Sequence, residues 1–358
     1  MKLLLAGGGT GGHLFPAVAL AQRLMQQDPV AEVLFVGTAR GIEGRVLPEL
    51  GLPFEFIDIR GFVNRGLVGK LGMIPCLLRS VRQGLRILRR FKPDIVLGVG
   101  GYASAPMLIA AKLKRIPTVI HEQNAWPGLT NRMLGRWARC VCLSFSEAER
   151  AFHRATTIVT GNPLRQGMET CPPINDGEPE LLVFGGSRGA RAINNAMLGA
   201  LPLLNQWRDR LHIVHQTGSD DLQRIREGYV RAGWPADGVV PFIDDMVSAY
   251  AGAHLVVCRA GATTLAELAA CGRAAILVPY PHAAGDHQTI NALAVANKGA
   301  ALLLSQNDLS AETLASLVND LLENRERLIS MSAAAGSLGV DGAADRILKI
   351  CRTMCGRE

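Results

Sequence analysis

A chain of 358 residues that is 48% hydrophobic can bury two cores, and only 5% of it is aromatic, which argues against a base-stacking platform for nucleic acid. The formal net charge of +7 is unevenly placed: residues 1–165 hold 22 Lys+Arg against 10 Asp+Glu and the remainder 16 against 21, so the first half is expected to face something anionic. The eight cysteines lack the paired spacing of a zinc site, no run of ~18 apolar residues marks a membrane span, and the apolar opening Met1 to Ala6 is too short for a signal peptide, so the expectation is a reduced protein that stays in the cytoplasm.

Along the chain, short β-branched or leucine-rich runs alternate with helical patterns, as in βαβ units on a parallel sheet. Strands are predicted at 2–6, 32–37, 53–57, 94–99, 117–121 and 140–144. The first runs into Gly7-Gly8-Gly9-Thr10-Gly11-Gly12 and a helix that opens on His13. From Lys70 to Arg90, apolar Leu71, Ile74, Leu78, Val81, Leu85 and Leu88 recur at helical spacing, and Arg79, Arg82, Arg86 and Arg89 run beside the last four. Such a helix is either a core face with a solvated basic edge or a docking surface, with Leu67, Val68, Met73, Ile74 and Pro75 entering an anionic leaflet beside Lys70 and Arg79. A second glycine turn, Gly98 to Tyr102, follows the fourth strand, and four polar residues, His121-Glu122-Gln123-Asn124, follow the fifth. After Ile158 to Gly161 the pattern breaks into a segment, Asn162 to Glu180, with the Pro, Gly and polar content of a linker. It restarts with strands near 180–184, 211–215, 238–242, 254–258, 274–278 and 300–304, which gives two domains, 1–163 and 164–340, and a last helix near 341–354.

The restart is a weak internal repeat, since Leu181-Leu182-Val183-Phe184 feeds Gly185-Gly186-Ser187-Arg188-Gly189 as Leu3 to Ala6 feeds the first glycines. A fourth turn, Arg259-Ala260-Gly261-Ala262, completes the set, and all four lie at the carboxyl ends of strands, where open parallel sheets bind ligands. Glycine there lets backbone approach a phosphate, and each helix start adds ~0.3–1 kcal/mol of attraction for an anion. Residues 7–12 match G-x-G-x-x-G, but a dinucleotide site needs an acid at the end of the second strand, and that strand ends Phe35-Val36-Gly37-Thr38. Glu267, five residues after Ala262, is a better ribose ligand, or else it complements the helix dipole. His13 is placed to be a general base, or to bond backbone at the helix start. Glu122 belongs to a site or caps the next helix. Asp244-Asp245 reads as a helix N-cap, and without Asp-x-Asp or H-x-x-x-H the expected chemistry needs no metal.

Together the motifs Gly8 to His13, Gly100-Gly101-Tyr102, His121 to Asn124, Thr160-Gly161-Asn162-Pro163-Leu164-Arg165, Gly185-Gly186-Ser187, Ile243 to Met246 and Arg259 through Glu267 resemble the MurG family of bacterial peptidoglycan glycosyltransferases, in order and over nearly the whole chain. The resemblance implies an α/β GT-B fold, two Rossmann-like domains with parallel sheets facing a cleft, with residues 341–358 packing back on the first. It implies inverting transfer of N-acetylglucosamine from UDP-N-acetylglucosamine to the 4-hydroxyl of the muramyl sugar of lipid I, without a cofactor, at the cytoplasmic face of the inner membrane. Partners are then the nucleotide sugar, the undecaprenyl-pyrophosphoryl acceptor and an anionic membrane surface, with no nucleic acid. By motif, His13 and Glu122 would be catalytic. Ile243 would face the uracil, Glu267 the ribose, and Ser187, Arg165 and the run Ala262-Thr263-Thr264-Leu265-Ala266 the pyrophosphate, with Arg259 a further phosphate neighbour. Asn124 and Gln288 would contact the sugar, Thr10, Gly11 and Gly12 would close over the donor, and Tyr102, His121 and Asn131 would meet the acceptor. Two positions depart from the family: Arg188 stands where glutamine is usual, and Asp286-His287-Gln288-Thr289 keeps one of two adjacent glutamines. A transferase for another lipid or soluble acceptor, or a UDP-N-acetylglucosamine epimerase, would share this scaffold.

Overall fold

Runs of Val, Ile and Leu buried on both faces pair in parallel, because the connecting helices then cover the sheet from either side. In the computed structural model, which describes residues 1–39, 41–59, 73–186 and 188–356, two such sheets form. The first holds β1 (Lys2–Gly7), β2 (Glu32–Gly37), β3 (Phe54–Phe56), β4 (Ile95–Gly100), β5 (Thr118–Glu122), β6 (Cys140–Leu143) and β7 (Thr157–Val159), in the order β3-β2-β1-β4-β5-β6-β7. The second holds β8 (Glu180–Phe184), β9 (His212–Gln216), β10 (Val239–Val240), β11 (Leu255–Cys258), β12 (Ala274–Leu277) and β13 (Ala301–Leu303), in the order β10-β9-β8-β11-β12-β13. Every pairing is parallel. In each sheet the order turns back beside the strand that opens it, β1 against β4 and β8 against β11, and a crevice at the carboxyl ends results.

Among the described residues the helices are α1 (Gly11–Gln27), α2 (Glu43–Glu49), α3 (Met73–Phe91), α4 (Ser104–Leu113), α5 (Leu129–Gly135), α6 (Arg191–Ala200), α7 (Leu222–Arg231), α8 (Met246–Gly252), α9 (Ala262–Ala270), α10 (His287–Ala296), α11 (Ala311–Glu323), α12 (Arg325–Ser337) and α13 (Ala343–Met354). The chain divides into a unit of Met1–Arg165 with Gly342–Glu358 and a unit of Gln166–Asp341. In the first, alternation along β1 sends Leu3 and Leu5 to one core with Leu14, Leu20 and Ile347, and Leu4 and Ala6 to the other with Met107 and Ile120. The last helix belongs to this unit because Ile347, Leu348 and Cys351 are fully buried in it. Asp345 accepts from Arg23 Nε at 2.6 Å and Nη2 at 2.8 Å, which fixes α13 along α1.

β7 is the strand the sequence pattern does not reveal. It has three residues, pairs only with β6, and leaves Ile158 40% exposed, so no apolar run marks it. In the second unit, Leu181, Val183, Val257 and Ile276 meet Ile193, Met197, Leu314 and Val318 from the helices. Arg273, 1% exposed there, meets carbonyls in place of a carboxylate: its guanidinium donates to Tyr250 O at 2.7 Å, Cys271 O at 2.6 Å, Pro172 O at 2.6 Å and Ala251 O at 3.1 Å. It thereby closes the carboxyl ends of α8 and α9 and ties Pro172 to them. All eight cysteines are free. Among the described residues no helix is long and apolar enough to cross a membrane.

Candidate functional site

In the first unit, three glycines at the end of β1 take positive φ, 147° at Gly7, 132° at Gly8 and 90° at Gly9. The turn after β4 lies against them so closely that a Cβ on Gly101 would stand 2.3 Å from the Gly8 carbonyl oxygen. Beneath the turn lies Glu43, 1% exposed, whose carboxylate accepts from Gly9 N–H at 2.8 Å, Thr38 N–H at 2.8 Å and the Thr38 hydroxyl at 3.2 Å. Gly8, Gly37 and Gly41 make room for it, since Cβ atoms there would come within 2.8, 2.7 and 2.0 Å of its side chain. A carboxylate in this position meets the N–H that a dinucleotide phosphate would need, so the G-x-G-x-x-G match serves folding here.

Above the turn, His13 occupies the third residue of α1, and its ring lies 3.0 Å from where a Cβ on Gly100 would be, a close approach that glycine permits. His13 Nδ1 is 2.9 Å from Gln123 Oε1. Gln123 Nε2 in turn donates to Val99 O at 3.1 Å and His121 O at 3.3 Å, and lies 3.1 Å from His121 Nδ1. His121 Nε2 reaches Gly161 O at 3.2 Å and Ser144 Oγ at 3.3 Å. Burial pushes the His121 imidazole down to about 4, so it is neutral at neutral pH.

Three expected site residues are buried in hydrogen-bond networks. His121 is 1% exposed with both nitrogens in protein hydrogen bonds. Glu122, also 1% exposed, accepts from Asn124 N at 2.9 Å, Asn124 Nδ2 at 3.1 Å, Gly128 N at 3.1 Å and Asn131 Nδ2 at 2.9 Å, and its carboxylate folds the 124–131 loop. Asn131, 2% exposed, belongs to the same network. Near the surface the first unit presents Thr10, Gly11, Gly12, His13, Tyr102, which is 42% exposed, and half-buried Asn124. Arg165 also belongs to this unit, with its guanidinium 4.7 Å over the Phe15 ring.

In the second unit, Ser187 lies outside the described residues and Arg188 is exposed. The turn after β8 contains Gly186 at φ 98° and is held by Gln216, whose Nε2 donates to Gly186 O at 2.7 Å and whose Oε1 accepts from Ile243 N–H at 3.2 Å. Gln216 thus joins the first turn of this sheet to the turn carrying Ile243. Sequence reading passes over Gln216, because a polar residue ending a strand carries no motif of its own.

The run Ala262 to Ala266 forms the start of α9, where Gly261 is the N-cap and supplies no side-chain acceptor. Glu267 is 3% exposed on the next turn, with Oε2 accepting from Tyr250 OH at 3.1 Å, so its carboxylate is held in one orientation. Arg259 donates to Val278 O at 3.1 Å, Pro279 O at 3.0 Å and Gln306 Oε1 at 2.6 Å, and bolts the end of β12 in place. Gln288 Oε1 accepts from Tyr280 N–H at 2.9 Å, which leaves its amide N–H2 as the group it can offer a ligand. Asp245 caps α8 through Ser248 N–H at 3.0 Å, as its sequence position implies.

Two family models match this chain, the glycosyltransferase family 28 N-terminal domain over residues 3–143 and the C-terminal domain over residues 180–347. It is 80% identical, over the whole of both chains, to the UDP-N-acetylglucosamine--N-acetylmuramyl-(pentapeptide) pyrophosphoryl-undecaprenol N-acetylglucosamine transferase of Syntrophotalea carbinolica. The crystal structure of Acinetobacter baumannii MurG superposes with a TM-score of 0.80 at 34% identity, covering 98% of this chain and 99% of that one. A Listeria monocytogenes structure described as a putative UDP-N-acetylglucosamine 2-epimerase reaches a TM-score of 0.64 at 15% identity, covering 98% of this chain and 95% of that one, a likeness of fold alone.

Proposed function

The chain belongs to glycosyltransferase family 28, and from that premise we propose that it transfers N-acetylglucosamine from UDP-N-acetylglucosamine to N-acetylmuramyl-(pentapeptide) pyrophosphoryl-undecaprenol, converting lipid I to lipid II. The observation that carries the substrate pair is the 80% identity over the full 358 residues to a transferase of that name. A glycosyl donor with a diphosphate leaving group needs its nucleoside read, its pyrophosphate charge stabilised and an acceptor hydroxyl deprotonated.

The second unit has groups for the first two tasks. The Ile243 carbonyl accepts from the uracil N3–H, Glu267 accepts from the ribose hydroxyls, and the α9 start, together with the turn at Gly186, meets the pyrophosphate. The Gln288 amide donates to the sugar. In the first unit, His13 removes the proton of the acceptor's 4-hydroxyl as that oxygen bonds to the anomeric carbon; the bond from that carbon to the β-phosphate oxygen breaks, UDP leaves with the electron pair, and the configuration inverts. Tyr102 and Asn124 are the surface groups beside His13 for the sugars.

α3 supports a peripheral membrane contact: Leu78 is 55% exposed, and the Arg79 and Arg90 side chains are 72% and 71% exposed despite pairing with Asp58 and Glu55. Leu67, Val68, Lys70 and Leu71 lie outside the described residues, as do the side chains of Met73 and Ile74. Incubation with labelled UDP-N-acetylglucosamine, with and without the lipid-pyrophosphate acceptor, tests the reading. Label in the lipid and release of UDP only with acceptor are expected; an epimerised nucleotide sugar, or equal transfer to diacylglycerol, overturns it.

A further inference from the structure

The hydrogen bonds behind His13 determine which of its nitrogens can take a proton. We propose that Gln123 is a positioning residue for the transfer, holding His13 in the Nδ1–H tautomer so that Nε2 carries the lone pair, and that His121 behind it fixes Gln123 in the required orientation. The inference rests on His13 being the base.

The Gln123 Nε2 end lies 3.1 Å from Val99 O and 3.3 Å from His121 O, and carbonyl oxygens only accept, so the N–H2 end of the amide belongs there. Oε1 therefore faces His13, and since Oε1 also only accepts, the Nδ1 at 2.9 Å carries the hydrogen. In a neutral imidazole the other nitrogen, Nε2, is then the acceptor. His121 Nε2 lies 3.2 Å from Gly161 O, which only accepts, so Nε2 carries the hydrogen of this neutral ring and Nδ1, 3.1 Å from Gln123 Nε2, is the unprotonated nitrogen. The two histidines are thus held in opposite tautomers by a single amide.

Turning that amide over would set Oε1 against two carbonyl oxygens and leave buried groups unsatisfied. Burial keeps His121 neutral, so its Nδ1 lone pair persists at neutral pH. When His13 takes the acceptor's proton, the Nδ1–H to Oε1 bond becomes charge-assisted and strengthens as the imidazolium forms.

The test uses full-length protein with nitrogen-15-labelled histidine and long-range proton–nitrogen spectra. Wild type is expected to show, beside the Nδ1–H signals of His212 and His287, a further Nδ1–H histidine lost in His13→Ala, and an Nε2–H histidine lost in His121→Asn. In Gln123→Leu the His13 signal should shift to the Nε2–H form, with kcat lowered on the order of tenfold to a hundredfold, less than the roughly 10²–10⁴ of losing the base itself, and the KM for UDP-N-acetylglucosamine within about twofold. Gln123→Glu still accepts from Nδ1–H and should recover the tautomer, but it sets its second oxygen against Val99 O and His121 O, so its readout is the tautomer and not kcat. Wild-type His13 in the Nε2–H form overturns the proposal even if the leucine variant fails to fold, as does a leucine variant with unchanged kcat, or one whose kcat falls with the tautomer intact. Near-normal turnover in His13→Ala would instead remove the base assignment and leave the measured tautomers standing, so the two failures are distinguishable.

Discussion

The two glycine turns that open the two sheets read alike in sequence, yet they hold opposite contents. After β1 the turn is closed from below by the Glu43 carboxylate, bonded to Gly9 N–H. After β8 the corresponding turn is held by an uncharged amide, Gln216, which bonds its carbonyl side at Gly186 O. A glycine turn is therefore an anion site only where the protein has not put its own anion into it. On the proposed reading the donor's diphosphate meets the second unit's turn, and the first unit's turn is a rigid seat for His13.

The largest effect expected falls on that seat's occupant. His13→Ala should lower kcat by about 10²–10⁴ while UDP affinity, measured by calorimetry, stays within about twofold, because the base and the nucleotide site are in different units. Next comes the carboxylate. Glu43→Ala strands the Gly9 and Thr38 N–H groups in a buried turn and should destabilise the first unit by about 2–4 kcal/mol in urea unfolding, again with UDP affinity retained. A loss of UDP binding in that variant would break the contrast between the turns.

Acid should weaken both units, through His121 in the first and through His215, joined by His254, in the second. Burial lowers His121 to about 4 and His215 to about 3 from 6.5, so the unfolded chain takes up protons first. The stability from keeping each neutral is complete above about pH 6.5 and is lost as pH falls below it, by about 3 kcal/mol per histidine at about pH 4. Urea unfolding followed across that range, with and without His215→Leu, measures the share of the second unit. The smallest effect sharpens the comparison from the other side: Thr264→Glu places an anion at the α9 start and should weaken UDP binding by roughly tenfold, a loss relieved in part by high salt. No change would indicate that this helix start does not face the diphosphate.

Much of the architecture follows from local pattern. Runs such as Leu3 to Ala6 and Leu255 to Cys258 are apolar on both faces, so they could only be inner strands of a covered parallel sheet, and the glycines after them mark the carboxyl ends. Asp245 caps its helix because a cap acts within one turn. β7 escaped because a half-exposed edge strand of three residues has no period to detect.

What sequence by itself determined, then, is whatever depends on neighbours within a turn or a strand: two α/β domains, the positions of the turns, and the histidine that starts α1. Only the tertiary structure decided which polar residues face outward. Glu122, His121 and Asn131 sit among motif residues yet are consumed by one another, while Glu43, Gln216 and Tyr250 carry no motif and hold the turn, the Ile243 loop and the Glu267 carboxylate. The reason is that a polar side chain's role is set by what stands opposite it, and the partner of Gly9 is 34 residues away and that of His13 is 110. No local spacing encodes a pairing across those separations.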